Sequence, residues 1–136
     1  PRLGFELLAG TAVADLDLAA AIALAHHEHV DGSGYPDGLV GERIPLGARI
    51  VAVLDTFDAL TLERADRPGL APEEAVERVL QSPPGRFDPT VLAAFAASSE
   101  TLLAVRWAIA DERRGDDHGC AVHQAVPERG FWRRFT

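Results

Sequence analysis

Apolar residues recur at helical spacing on both sides of a glycine-rich stretch, residues 32–41. Before this stretch, the apolar positions that form one stripe are Leu18, Ile22, Leu24 and Ala25. After it, the corresponding positions are Ile50, Val53, Leu54 and Phe57. A stripe that repeats every 3.6 residues is typical of a helix packed against a core. The pattern therefore predicts two helices joined by a glycine-rich loop.

The first of these helices has recognisable start and stop signals. Asp15 or Asp17 is a candidate N-cap, and Asp31 with Gly32 is a plausible C-terminal stop. Residues 1–11 precede it and predict the end of another helix near Gly10.

Three more helices are predicted after the loop. Residues 72–80 begin with proline and two glutamates, which favour a helix N-terminus. Asp88 followed by Pro89 predicts a capped start for the next helix. Residues 101–113 have helical propensity, and the sequence after them predicts a poorly ordered tail. We therefore predict an all-α fold.

Composition narrows the classes of function. The net charge of −8 argues against a surface for binding a nucleic-acid polymer, and all thirteen basic residues are arginines. No apolar run reaches the roughly 18 residues of a membrane span. The single cysteine, Cys120, excludes an internal disulfide, so a reducing cytoplasm is the simplest compartment.

The candidate chemistry lies beside the loop. His26 and His27 are adjacent, and neighbours on a helix point about 100° apart, so they cannot clasp one ion together. They are either a partly buried helix end or ligands of two neighbouring ions. Asp55 and Asp58 interrupt an apolar helix, which indicates either salt bridges, with Arg49 or Arg64 as partners, or a metal site.

Other histidines give weaker signals. His29 is expected to be solvated. His118, Cys120 and His123 provide only three candidate zinc ligands without a paired motif, so they do not predict a zinc site.

A longer motif surrounds the histidine pair. Its residues are His26, His27, Glu28, Asp31, Gly32, Gly34, Tyr35, Pro36, Gly38, Leu39, Gly41, Ile44, Pro45, Arg49, Ile50, Asp55, Phe57, Asp58, Ala59 and Leu60, followed later by Gly85, Arg86, Phe87, Asp88 and Pro89. This ordered set resembles the HD-GYP family of metal-dependent phosphodiesterases that hydrolyse cyclic di-GMP. The resemblance covers roughly residues 1–97. It implies the C-terminal part of an N-terminally truncated helical bundle of the HD-domain type. Residues 98–136 lie beyond the resemblance and are predicted, from their own sequence, to form a further helix and the tail.

The resemblance also implies a functional site. His26, His27 and Asp55 are expected to bind two or more divalent metal ions, and mixed imidazole and carboxylate ligands suit iron or manganese without excluding zinc or nickel. The residues expected to orient neighbouring groups are Glu28 and Asp58. Those expected to contact a cyclic dinucleotide are Tyr35, Arg64 and Arg67, although residues 64–67 also suit an ordinary solvated loop. The glycine-rich loop, itself a good surface-turn sequence, is expected to shape the pocket and to contact diguanylate cyclase domains.

Part of the family motif lies outside this sequence. The HD dipeptide, its nearby lysine and a histidine immediately upstream are all expected before residue 1. We therefore expect this chain alone to hydrolyse cyclic di-GMP poorly or not at all. The alternatives are a non-catalytic module that binds signalling proteins through the loop, and a fragment whose missing helices leave apolar surface exposed.

Overall fold

The computed structural model describes residues 1–10, 14–63 and 68–112. The helices are α1 (Arg2–Leu8), α2 (Ala14–Ala25), a 3-10 helix (Gly41–Arg43), α3 (Leu46–Thr61), α4 (Pro72–Leu80), α5 (Pro89–Ala97) and α6 (Ser99–Glu112). These ranges contain no β-strand, and the prediction of an all-α fold is confirmed. No helix in them is long and apolar enough to cross a membrane.

The second helix ends earlier than its sequence predicts. α2 stops at Ala25, not at Asp31 and Gly32, and His26 and His27 therefore lie in a turn beyond its end. The turn is closed by a hydrogen bond from the Glu28 N–H to the Ala25 carbonyl. α2 also begins at Ala14, so Asp15 and Asp17 lie inside the helix and cannot be its N-cap.

The core of α3 is formed mainly by small residues. Its buried residues are Ala48, Ala52, Val53 and Phe57, whereas Ile50 and Leu54 are 41% and 39% exposed. The prediction that Ile50 and Leu54 face the core is therefore wrong, because alanine allows the helices to pack closely along the neighbouring face. The ring of Phe57 makes an edge contact with that of Phe95, their centroids being 5.8 Å apart.

The glycine-rich loop is closed at its base. An antiparallel bridge joins Asp31 to Val40, and the Gly41 N–H donates to the Val30 carbonyl at 2.9 Å. Beneath it, buried Ile44 belongs to a small apolar cluster with Ala25 and Ala48, against which Val30 and Leu39 pack. The loop is thus attached to both α2 and α3.

The chain divides into two compact units, Pro1–Ala96 and Ala97–Thr136. In the first, α2 packs against α1 and α3, and α3 packs against α4. Several residues named from the sequence lie outside the described ranges: Arg64, Arg67, His118, Cys120, His123 and the expected tail. The division at residue 97 into a domain and a C-terminal extension stays a prediction.

Candidate functional site

His26, His27 and Asp55 line a single cavity of about 220 Å³. The two histidines lie in the turn after α2, and Asp55 projects from the middle of α3. Close packing of α2 on α3 brings these two elements together. The cavity is also lined by Glu28, His29, Tyr35, Ala52, Thr56, Arg86 and Phe87.

The two adjacent imidazoles are held in different ways. Their ring centroids are 4.1 Å apart, with the planes inclined by 40°. The Nδ1 atom of His26 lies 3.0 Å from the Ile22 carbonyl oxygen. A carbonyl can only accept, so Nδ1 carries the proton and Nε2 keeps its lone pair. A carbonyl partner of this kind is typical of metal-binding histidines.

His27 is biased towards its neutral form. Burial lowers the pKa of His27 below its ordinary value, and the neighbouring His26 lowers it further. Asp55 acts in the opposite direction, which reflects its position near the same ring. A neutral imidazole has a lone pair for a metal ion, so this environment suits His27 as a ligand.

Tyr35 lies over His27 at the mouth of the cavity. The two rings are stacked, and the Tyr35 N–H also donates to the His27 carbonyl at 3.2 Å. The tyrosine side chain is 55% exposed, and its peptide bond to Pro36 is cis. One face of the ring therefore covers a histidine, while the rest remains accessible to a bound molecule.

Glu28 is the buried carboxylate that holds the loop. It is 3% exposed, and its two carboxylate oxygens accept hydrogen bonds from the backbone N–H groups of Asp37 and Leu39, at 2.7 and 3.0 Å. Hydrogen bonds to a charged acceptor are stronger than those between neutral groups, so this pair anchors the far side of the loop. The sequence motif marked Glu28, but only the fold shows that it acts on backbone nine and eleven residues away.

Gly34 allows the loop to approach the histidine turn closely. A Cβ atom at this position would overlap the backbone of both Glu28 and His29. Because those neighbours are backbone atoms, they cannot move aside as a flexible side chain can. The requirement for glycine here arises from the close approach alone.

The two aspartates of α3 differ in position. Both are exposed, but Asp55 lines the cavity and Asp58 does not. The two aspartates therefore do not interrupt the buried face of α3. Arg49 is not its partner, because Arg49 forms a salt bridge with Asp88 at 2.5 Å.

His29 lines the same cavity, which its sequence position did not predict. Its Nδ1 lies 2.9 Å from the Ser33 hydroxyl oxygen in a solvent-exposed contact, so the expectation of a solvated side chain is not contradicted. His29 follows the turn after α2, which the helical interpretation of this segment did not include.

Arg86 is the residue that sequence reasoning missed. It lines the cavity of His27 and Asp55 and also a second cavity of about 400 Å³. The second cavity shares four residues with the first, namely His27, Asp55, Thr56 and Arg86, and continues towards Arg78, Gln81 and Ser82. The motif around Pro89 included Arg86. Nothing in that motif indicated that Arg86 would line a cavity together with residues of α3, some thirty positions earlier in the chain.

The donor set fits divalent metal ions in kind. It combines imidazole nitrogen with carboxylate oxygen, as transition-metal sites do. Within the described ranges, however, no three His, Cys, Asp or Glu side chains are grouped closely enough to hold one ion. The role of His26, His27 and Asp55 as ligands therefore stays a prediction.

Comparison with known proteins gives consistent similarities. Residues 1–91 match the model of a family described as HD domain. The chain is 51% identical over 89 residues to the cyclic di-GMP phosphodiesterase response regulator RpfG of Xanthomonas campestris pv. campestris, covering 65% of this chain and 24% of the relative. It is 38% identical over 129 residues to a cyclic di-GMP phosphodiesterase of Thermotoga maritima, covering 94% and 34%.

A relative of different specificity is also similar. The chain is 32% identical over 108 residues to the 3′3′-cGAMP-specific phosphodiesterase 2 of Vibrio cholerae, covering 79% of this chain and 21% of the relative. The chain thus spans between about a fifth and a third of the length of these three relatives.

Proposed function

Because the chain belongs to the HD domain family, in its HD-GYP group, we propose that it is part of a metal-dependent phosphodiesterase of cyclic dinucleotides. The observation that carries the proposal is that His26, His27 and Asp55 line one cavity although they come from two separate elements. Cyclic di-GMP is the proposed substrate because it appears in the names of relatives 38–51% identical to this chain. A mixed cyclic dinucleotide, 3′3′-cGAMP, is the second candidate.

We propose His26, His27 and Asp55 as ligands of two or more divalent metal ions, iron or manganese. When bound, such ions would polarise a phosphoryl oxygen and would also supply a nucleophile at neutral pH. His26 would offer Nε2, because its Nδ1–H donates to the Ile22 carbonyl. His27 would offer a neutral ring, because burial lowers its pKa.

The loop residues have supporting roles in this proposal. The Tyr35 ring shields one face of His27 from water and limits how that ring can turn. Glu28 holds the loop that carries Tyr35, through the N–H groups of Asp37 and Leu39. On α3, the Thr56 hydroxyl donates to the Ala52 carbonyl, and this hydrogen bond fixes the orientation of the hydroxyl group.

The loop also suits a contact with another protein. Tyr35 and Val40 are 55% and 51% exposed, and both lie on a segment fixed at its base by the bridge between Asp31 and Val40. Diguanylate cyclase domains are the proposed partners, following the family resemblance. We place this signalling role in the cytoplasm, in keeping with a chain whose single cysteine needs no oxidising compartment.

Hydrolysis of cyclic di-GMP by the full-length protein, with Mn²⁺ or Fe²⁺, tests the proposed activity. We expect metal-dependent turnover, and we expect His27→Ala and Asp55→Asn each to lower kcat by at least about 100-fold, since removal of even a group that supports a ligand costs about 10- to 100-fold. Asp17→Asn is the control, because Asp17 is exposed on α2 and lines neither cavity. Binding of the dinucleotide without any turnover would favour the non-catalytic alternative instead.

Metal binding by the chain itself can be measured separately. We expect residues 1–136 to bind Mn²⁺ weakly, seen as a loss of the free-ion signal in electron paramagnetic resonance. His27→Ala and Asp55→Asn should reduce that loss, whereas Asp17→Asn should leave it unchanged. Equal binding by all four proteins would contradict the assignment of the ligands.

A further inference from the structure

We propose that Arg86 binds the phosphodiester of the substrate beside His27 and Asp55. The inference rests on the proposed function and adds to it a specific cation for the phosphate. Arg86 lies at the junction of two adjoining cavities, of about 220 and 400 Å³. Cavities of this combined size are typical of small-molecule sites.

The guanidinium of the partly buried Arg86 has few polar partners among the described residues. Its Nε is buried and donates to no acceptor among the described residues. Among the described residues its guanidinium makes one hydrogen bond, a long one of 3.4 Å from a terminal nitrogen to the Thr56 hydroxyl oxygen. No described carboxylate lies within ion-pair distance of it. A buried charged donor without a partner is costly, and a phosphate oxygen would satisfy it.

Comparison with Arg49 shows why the unpaired donor matters at Arg86. Arg49 also has a buried Nε without an acceptor, but its charge is balanced by the Asp88 carboxylate. Arg49 lies on a third cavity that contains neither His27 nor Asp55. Arg86 has no carboxylate partner within the described ranges, and it lies next to the proposed metal ligands.

The backbone on both sides of Arg86 is held firmly. Before it, Gly85 has φ +86°, its carbonyl accepts from the Asp31 N–H at 3.0 Å, and a Cβ there would lie 2.7 Å from Asp31 Oδ2. After it, Phe87 is 7% exposed, and its ring lies 4.9 Å from the Arg86 guanidinium carbon. A rigid support reduces the entropy lost when an arginine binds a ligand, which favours phosphate binding at this residue.

The charge of the chain favours such a cation. With a net charge of −8, the overall field opposes a dianionic substrate, so local cations would have to offset its phosphates together with the proposed metal ions. Arg78 lies farther along the larger cavity and forms only a distant, exposed pair with Glu74, at 3.8 Å. The substrate would therefore extend from the metal ligands, past Arg86, towards Arg78 and Gln81.

The test compares Arg86→Gln, Arg86→Lys and Arg43→Gln in the full-length protein. Arg43→Gln is the matched control, since it removes the same charge from an exposed residue that lines neither cavity. Binding of cyclic di-GMP is measured by calorimetry in EDTA, and KM is measured with Mn²⁺. Circular dichroism checks that each variant is folded.

We expect Arg86→Gln to weaken binding by about 10- to 100-fold and to raise KM, because it loses a charge-assisted contact. Arg86→Lys should recover part of the affinity, since it keeps the charge but not the planar fork. Arg43→Gln should bind within about twofold of wild type, a change too small to reflect the loss of such a contact. If Arg86→Gln matches the control in both measurements while the wild type turns over, this inference fails and the proposed function stands. If the wild type neither binds nor hydrolyses the dinucleotide, both fail.

Discussion

The rings of Tyr35 and His27 are stacked, with centroids 5.0 Å apart and planes inclined by 25°. Eight positions apart in sequence, they meet because the chain turns back after α2 and the Tyr35 N–H donates to the His27 carbonyl. The loop is thus attached directly to one of the proposed metal ligands. A change in the loop is therefore expected to alter the histidine environment without touching the histidine itself.

Replacement of Tyr35 distinguishes its ring from its hydroxyl. Tyr35→Ala removes the stacked ring and should lower kcat/KM of the full-length protein by about 2- to 10-fold, the range expected for one aromatic contact. Tyr35→Phe keeps the ring and should stay close to wild type. Steady-state hydrolysis of cyclic di-GMP provides the measurement. Equal impairment of both variants would show that the hydroxyl, not the stacking, is needed.

Glu28→Gln tests the anchoring of the loop. A glutamine keeps one acceptor oxygen but replaces the other with a donor that faces a backbone N–H, so it should cost about 1–3 kcal/mol of stability. Tyr35 is the only tyrosine in the chain, and its NMR ring signals should shift towards those of an exposed tyrosine. Urea unfolding and NMR measure the two effects.

The control for this change is Glu42→Gln. Glu42 is exposed in the 3-10 helix, and its replacement should alter neither stability nor the Tyr35 signals appreciably. A Glu28→Gln protein with wild-type stability and unchanged Tyr35 signals would contradict the anchoring role.

Gly34→Ala tests the close approach of the loop to the histidine turn. The added methyl would overlap backbone atoms of Glu28 and His29, so we expect a loss of about 1–3 kcal/mol, as for overpacking in a rigid site. Gly4→Ala is the matched control. Gly4 lies within α1, and a Cβ atom there would contact Ala23 of α2 at an ordinary distance of 3.4 Å. Alanine is favoured over glycine in helices, so this variant should be neutral or slightly stabilised. Thermal unfolding of both would decide the matter, and equal stability would argue against a tight fit at Gly34.

Asp88 should make stability depend on pH. The hydrogen bond from Arg49 lowers the pKa of Asp88, with help from the N–H groups of Val91 and Thr90. A carboxyl whose pKa is lower in the folded state stabilises the fold above its unfolded pKa of about 3.9, and that contribution is lost as pH falls through the folded value. Asp88→Asn should therefore cost about 2 kcal/mol at pH 7, and the difference from wild type should shrink below about pH 4.

Asp37→Asn serves as the comparison for this ion pair. Asp37 pairs with Arg2 at 3.0 Å, but both side chains are largely exposed, so its loss should cost less than about 1 kcal/mol.

Asparagine also remains a good N-cap, so Asp88→Asn isolates the loss of the Arg49 contact from the loss of the cap. Urea unfolding at pH 7 and pH 3 measures both variants. A difference between Asp88→Asn and wild type that is as large at pH 3 as at pH 7 would show that charge is not its origin.

The sequence was most informative where structure depends on neighbouring residues. The helix predicted for residues 72–80 matches α4, and Asp88 caps α5 as expected, because proline, acidic first turns and capping side chains act within a few residues. The same local argument failed at the end of α2, where Glu28 leaves the helix and binds backbone in the loop. It also failed for Ile50 and Leu54, since periodicity does not distinguish two neighbouring faces that both contain apolar residues.

By itself the sequence determined that this protein is helical, that it belongs with the HD-GYP proteins, and which histidines and aspartate to examine. Only the tertiary structure decided that Glu28 holds the loop, and that His29 and Arg86 line the same cavity as His27 and Asp55. The reason is physical. Helical periodicity and capping are set by residues three or four positions apart, whereas contacts between α3 and the segment before α5 depend on how the helices pack. That packing is decided by the burial of Ala48, Val53 and Val79, and no local pattern specifies it.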